Sequence, residues 1–203
     1  MARAPFHREG EAVRRDALIA ATAQCLAADG AGGIAVRMVA ASAGVSAGLV
    51  THYFGSIDDL IAATYHATGD RIGALLDAAV DDAGSAPRAR LSAYVEANFR
   101  PPISDPELLA TWAAFWALVG SNPAIAAIRD SVAAATRAQV ESLLAACGAR
   151  ETRLAAIGLT ALIDGLWLER SLIPATFSAA EAGALAERFD CRIEWEDVQC
   201  RAY

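Results

Sequence analysis

VRMVAASAGVSAGLVTHYF, residues 36–54, decides how the rest of the chain is read. Val36, Val39, Ala40 and Ala43 recur at helical spacing, which predicts a short helix over 36–43 with one apolar face. Gly44 stands where a helix ends in a left-handed residue, a conformation that glycine adopts without a Cβ penalty. Val45 is placed to plug the corner. Ser46 is placed to cap a second helix by accepting from the amide of Gly48 or Leu49. That helix, over 47–53, turns Leu49, Val50 and Phe54 partly inward and leaves Ala47, Gly48, Thr51 and His52 outward. Helix, glycine turn, capped helix is either a plain helical hairpin or a helix-turn-helix whose second member enters the DNA major groove. The polar outward face of so short a helix favours the second.

At these residues a resemblance becomes specific. AGVSAGLVTHYF resembles the AGVS-x-G-x-L-Y-x-H-F signature of the TetR family of bacterial repressors. The HYF end is similar to the BetI-type branch, typified by the choline-sensing repressor of glycine-betaine synthesis. Further on, Asn98-Phe99, the WAAFW run at 112–116 and ALIDGLWL at 161–168 resemble the NF…WLAFW…ALIDGLWL pattern of that branch. The resemblance spans most of residues 11–190. It implies an all-α fold: an N-terminal three-helix helix-turn-helix domain and a larger C-terminal helical domain for ligand sensing and dimerisation. It also implies a homodimer on a double-stranded, pseudo-palindromic operator, with recognition helices about 34–36 Å apart, released by a small-molecule effector.

The chemistry of the motif supplies candidate DNA contacts. Arg37, Ser46 and Tyr53 can donate to phosphate, and Gly48 permits close backbone approach. Thr51 offers a hydroxyl and a methyl to a base edge, and His52 a donor to guanine; His52 as a mere surface residue stays open. Ala47 lies on the same outward face. Arg14 and Arg15 fall in the first turn of a helix expected over 11–29, where they either clasp a phosphate or stand as a solvated pair; the resemblance favours phosphate. Three departures from the family pattern weaken the DNA case. Ala35 replaces a capping Thr, at a typical cost of about 1 kcal/mol. Ile57 replaces a phosphate-meeting Lys, and Ser42 an Arg.

Charge is distributed to match. The chain of 203 residues carries a net charge of −7 with no lysine, split as +1 on residues 1–56 and −8 on 57–203. A near-neutral head on an acidic body suits a protein that meets DNA through one end only. Hydrophobic residues make up 55 %, enough for a sizeable core. Cys25, Cys147, Cys191 and Cys200 have neither CxxC spacing nor a histidine cluster, so metal, cofactor and disulfides are not expected. The charged N-terminus lacks the apolar run of a signal peptide, which points to the cytoplasm. Residues 108–128 are uncharged and of membrane length, but GSNP at 120–123 breaks them into two buried helices rather than a span.

The expected order is an N-terminal arm and helix-turn-helix domain over 1–56, a helical effector and dimerisation domain over 57–190, and an irregular tail over 191–203. Residues 1–10 read as a disordered arm. The face Ala17, Leu18, Ala21, Cys25 and Ala28 packs the first helix. Ser56 with Asp59, and Ser178 with Glu181, read as capping boxes. Helices follow from 57 to about 82, over 88–99, from 105, over 123–146, over 151–173 and over 178–190. By the family pattern, 151–173 and 178–190 form the dimer interface.

The effector candidates are Asn98, Phe99, Trp112, Phe115, Trp116, Asp164 and Trp167. Aromatic stripes at helical spacing are ordinarily core. Here Thr160, Asp164, Trp167 and Ser171 share one stripe, and ring faces with a carboxylate suit a small cation such as choline. Asp164 is equally readable as a structural partner of backbone or Arg. Alternatives stay open: an apolar or anionic metabolite, a family member without DNA binding, or an enzyme with a helical pocket. The last is disfavoured because these segments hold no paired catalytic carboxylates and no Ser–His or Cys–His pair; His7, His52 and His66 all lie N-terminal to them.

Overall fold

The structure, a computed structural model, describes residues 5–173 and 175–190, with 5–9 and 189–190 described in backbone only. The described residues contain no strand. They form α1 (Pro5–Asp29), α2 (Val36–Ser42), α3 (Ala47–Phe54), α4 (Ile57–Asp82), α5 (Pro87–Ala97), α6 (Pro106–Leu118), α7 (Pro123–Ala146), α8 (Thr152–Leu172) and α9 (Ala179–Asp190). The expected tail, with Cys191 and Cys200, lies outside the described residues. None of these helices is long and apolar enough to cross a membrane. The uncharged stretch divides between α6 and α7 as expected.

Packing separates two compact units. Among the described residues, the first holds those up to 68 and 110–128, the second 69–109 and those from 129 onward. The helix-turn-helix thus packs in one unit with the start of α4 and most of α6, a grouping that cuts across the 1–56 and 57–190 division expected from sequence.

In the first unit, Leu18, Ala21, Cys25, Val39, Ala40, Val50 and Leu60 form the core around which α1, α2 and α3 close. Gly44 ends α2 at φ +66. Its amide donates to Ala41 O at 3.2 Å and that of Val45 to Ala40 O at 2.9 Å, so two orphan carbonyls of α2 are satisfied in the Schellman manner. Val45 packs half-buried on the core as the corner plug.

Two expectations for this unit are corrected. From Pro5, the first described residue, the expected N-terminal arm is helical. Arg14 and Arg15 therefore lie well inside α1 and not at its N-terminal dipole. The buried face of α1 is Leu18, Ala21, Thr22, Cys25 and Leu26, whereas Ala17 and Ala28 are exposed. Thr22 can be buried because its hydroxyl donates to Leu18 O at 2.7 Å.

In the second unit, α9 packs on both α5 and α8. The inward face of α8 is Ala156, Leu159, Ile163, Leu166 and Trp167. The Ser178–Glu181 box closes in both directions: Ser178 N donates to Glu181 Oε2 at 2.7 Å, and Glu181 N to Ser178 Oγ at 3.2 Å. These bonds hold the Glu181 carboxyl below its ordinary range. Ser56 and Asp59 cap α4 similarly, Ser56 Oγ donating to Asp59 Oδ2 at 2.6 Å. Asn122 does more than break the chain. Its Oδ1 accepts from the amides of Ala124 and Ile125, at 3.0 and 3.2 Å, and so caps α7.

Candidate nucleic-acid interface and effector residues

The outward face of α3 is the one its sequence specifies. Ala47, Gly48, Thr51 and His52 are exposed, Val50 is fully buried, and Leu49, Tyr53 and Phe54 are half-buried. Arg14, Arg37 and Ser46 are exposed as well. Ala35 precedes α2 in extended conformation with no side-chain cap. Ile57 packs half-buried on the core, so its apolar side chain is used structurally.

Ser46 departs from expectation. It holds the cap position in extended conformation, yet its side chain makes no capping bond; only its carbonyl accepts, from Leu49 N at 3.0 Å. The Ser46 hydroxyl is therefore not committed to its own helix. Arg15 departs more. Its guanidinium donates to Tyr53 O at 2.5 Å and lies 4.3 Å from the centre of the Phe54 ring. The expected Arg14–Arg15 pair is split, with Arg14 exposed and Arg15 half-buried against α3. The ring of His52 meets that of Tyr53 edge-on, centres 5.2 Å apart.

Gly48 is the informative position. Its φ is not in the left-handed region, and an added Cβ would meet nothing within 4 Å. Neither backbone conformation nor packing inside the protein requires glycine there, although glycine in a helix is less favourable than alanine by about 0.5–1 kcal/mol.

The effector candidates divide between the units. In the first, Trp112 and Phe115 of α6 pack with Tyr65 of α4. Tyr65 and Phe115 stack with centres 4.4 Å apart, and Trp112 meets Tyr65 edge-on at 5.1 Å. Trp116 is half-buried. Just before Trp112 in α6, Thr111 Oγ1 donates to Ala23 O at 3.1 Å, a direct tie between the aromatic helix and α1, which packs on the helix-turn-helix. Sequence reasoning missed Tyr65 and Thr111, because their partners lie far away in the chain.

In the second unit, Trp167 Nε1 donates to Asn98 O at 3.0 Å, and Asn98 Nδ2 to Tyr94 O at 2.8 Å. Asn98 and Phe99 are buried. Asp164 keeps more than a third of its surface in solvent. Even so, crowding by its neighbours raises its carboxyl to about 6 from an ordinary 3.8, with the Arg137 charge pulling the other way. Burial, then the Asp164 charge, push the Tyr94 phenol well above its usual range. Thr160 and Ser171, the other members of the expected stripe, return their hydroxyls to Ala156 O and Leu168 O at 2.8 and 2.7 Å. Two grooves of about 540 and 430 Å³ line this unit, and of the effector candidates only Phe99 borders either.

Comparison with known proteins agrees with this architecture. The model of tetR-family bacterial regulatory proteins matches residues 18–64, and that of the C-terminal region of BetI-type transcriptional repressors matches 87–189. The chain is 36 % identical over 188 residues to the HTH-type transcriptional regulator BetI 2 of Chromohalobacter salexigens, covering 88 % of this chain and 87 % of that protein. A solved transcriptional regulator from Pseudomonas aeruginosa PAO1 superimposes with a TM-score of 0.80 at 40 % identity, over 88 % of this chain and 89 % of that one. A regulator from Saccharomonospora viridis, solved in complex with choline, shares the fold at 17 % identity with a TM-score of 0.77, over 90 % and 99 % of the two chains.

Proposed function

Since the chain belongs to the TetR family of bacterial regulatory proteins and carries a BetI-type C-terminal domain, we propose that it reads its operator through the exposed face of α3 and releases it on binding a small quaternary ammonium cation. It is a ligand-responsive, DNA-binding transcriptional repressor and not an enzyme. The finer assignments are the proposal. Thr51 and His52 meet base edges; Arg14, Arg37, Ser46 and Tyr53 meet phosphate; Ala47 and Gly48 let the backbone come close. The protein works in the cytoplasm as a homodimer through residues 151–173 and 178–190.

Gly48 carries the DNA reading. Gly48 shares its open Cβ position with Gly73 and Gly165, but it alone of the three lies on the exposed face of α3 beside Thr51 and His52, where a partner's backbone can approach. Gly48→Ala tests this. It should stabilise the free protein by about 0.5–1 kcal/mol and weaken operator binding. Thermal melts and fluorescence anisotropy at fixed salt measure both. A variant that gains stability and binds the operator as well as its parent removes the reason for placing DNA on this face.

Support for the dimer comes from α8. Opposite its buried face lies a second apolar face with Leu154, Ile157, Leu168 and Leu172 exposed by 56, 40, 39 and 67 %, and α9 adds Leu185 at 45 %. A stripe of this size on a folded chain calls for a cover.

Support for the cation comes from α6. Quaternary nitrogen has no proton to donate, so ring faces are its natural receptor. Trp112, Phe115 and Trp116 supply rings within the first unit. Asn98, Phe99, Asp164 and Trp167 are the candidates in the second. The Thr111 tie to α1 gives an effector acting on α6 a route to the DNA motif. One observation favours plain core for part of this cluster: Tyr65, Trp112 and Phe115 already bury one another, with no more than 8 % of any of them exposed.

A further inference from the structure

We infer that Arg15 is a positioning residue for DNA readout, fixing the C-terminal end of α3 from within the first unit instead of meeting a phosphate. The inference rests on α3 being the recognition helix.

Several observations converge on Arg15. At eight residues, α3 is too short to hold an orientation by itself. Its N-terminal serine contributes no side-chain cap. Two anchors remain. Val50 sinks fully into the core shared with α1 and α2. Arg15, arriving from 38 residues away, donates at 2.5 Å to the carbonyl of Tyr53. That carbonyl belongs to the last turn of α3, where the final four have no partner in the helix, and a cation there also complements the helix dipole.

The same guanidinium stands 4.3 Å from the centre of the Phe54 ring, so one planar group meets a carbonyl and a ring in consecutive residues. Tyr53 and Phe54 pack only half-buried on that core, and Arg15 fixes this end of α3 by holding both. The base-reading candidates Thr51 and His52 lie between the two anchors. Lysine cannot replace arginine here, because an ammonium has no flat face to set on Phe54 while donating sideways to Tyr53 O.

A phosphate contact and a positioning clamp have different signatures. Losing a phosphate contact weakens operator and random DNA alike, lowers the salt slope by about 1, and is largely restored by lysine. Losing the clamp weakens the operator selectively, leaves the slope unchanged, and is not restored by lysine.

The experiment uses the full chain. A duplex enriched by the parent protein from a random library serves as operator, and anisotropy is read across a salt series for parent, Arg15→Lys and Arg15→Met. Measurements are made below the onset of melting, with circular dichroism as the check on folding. Both variants are expected to lose about tenfold in the ratio of operator to random affinity, equivalent to about 1.4 kcal/mol, at unchanged salt slope. Phe54→Leu should lose in the same direction, and combining it with Arg15→Met should add little. An unchanged ratio in the Arg15 variants overturns the inference while leaving α3 as the recognition helix. So does a uniform loss rescued by lysine. A parent protein that enriches no sequence overturns both.

Discussion

Leu172→Ala tests the assignment of the α8–α9 face as the subunit interface. Leu172 ends α8 with 67 % of its surface exposed. Full burial of a leucine side chain is worth about 1.5–3 kcal/mol, so covering the exposed two-thirds contributes about 1–2 kcal/mol, most of it lost on truncation to alanine. A two-fold interface uses the residue twice, which brings the loss to about 2–3 kcal/mol, or about 30- to 150-fold in the dimer dissociation constant. The single chain loses little, because the side chain is already in water. Val13 on α1 is the matched control: it too is apolar and 67 % exposed, but lies outside the proposed interface. Sedimentation velocity over a concentration series reads both variants. Leu172→Ala is expected to dissociate at concentrations where the parent and Val13→Ala remain dimeric. An unweakened Leu172→Ala dimer, or an equal shift in Val13→Ala, refutes the reasoning.

Choline titrated into protein that still binds DNA is expected to quench tryptophan fluorescence. Trp116→Leu should weaken that response more than tenfold, since a desolvated cation–π contact is worth about 2 kcal/mol; neither heat nor quenching at millimolar choline shifts the reading to an apolar metabolite. Asp164 gives a pH dependence. With the folded value near 6 above an ordinary 3.8, the native state holds the proton more tightly than the unfolded chain, so stability falls as pH rises from about 4 to about 6 and stays lower above. Asp164→Asn should flatten that limb in thermal melts, by under about 1 kcal/mol because the residue remains partly in solvent. A parent curve with no such fall places the carboxyl in a more open setting.

The helices were legible because each is punctuated by local chemistry. Gly44, Ser56, Pro87, Pro106, Pro123 and Ser178 act within one turn of where they stand, and α7 begins at Pro123 and ends at Ala146, the bounds expected from sequence. The first helix was legible only in part. Its HREGE segment reads as an arm because it lacks an apolar stripe, yet solvated charges are compatible with a helix. Its packed face was rotated in the reading because in an alanine-rich stretch Ala17 and Ala28 look as apolar as residues that are buried. Thr22 looks polar but satisfies itself on Leu18 O. The candidate site was legible where exposure alone decides, as at Gly48, Thr51 and His52. It was illegible where a side chain chooses between water and a distant partner. Arg15 and Arg14 are neighbours of one type, and only the fold turns the first toward Tyr53 and leaves the second outward.

The fate of Arg15 changes how this protein must hold DNA. Residues 1–56 contain five arginines and no other formal cation. Arg3 and the side chain of Arg8 lie outside what is described. Arg15 is committed to α3, which leaves Arg14 and Arg37 as the exposed guanidiniums. Ile57 and Ser42 stand where the family pattern carries a lysine and an arginine, and Ile57 is drawn into the core. Among the described side chains of this segment, the phosphate term that dominates most protein–DNA affinity would rest on Arg14 and Arg37. Beside these two arginines stand the Ser46 hydroxyl left free by its own helix, the open backbone at Gly48, and the side chains of Thr51 and His52. Such contacts work only when α3 is held at a fixed angle, because a hydroxyl or a backbone approach tolerates far less displacement than a long cationic side chain. A scarcity of cations and an arginine used as an internal strut therefore belong together. On the inference drawn for Arg15, a guanidinium kept from the phosphates trades nonspecific grip for the rigidity that the proposed α3 contacts need.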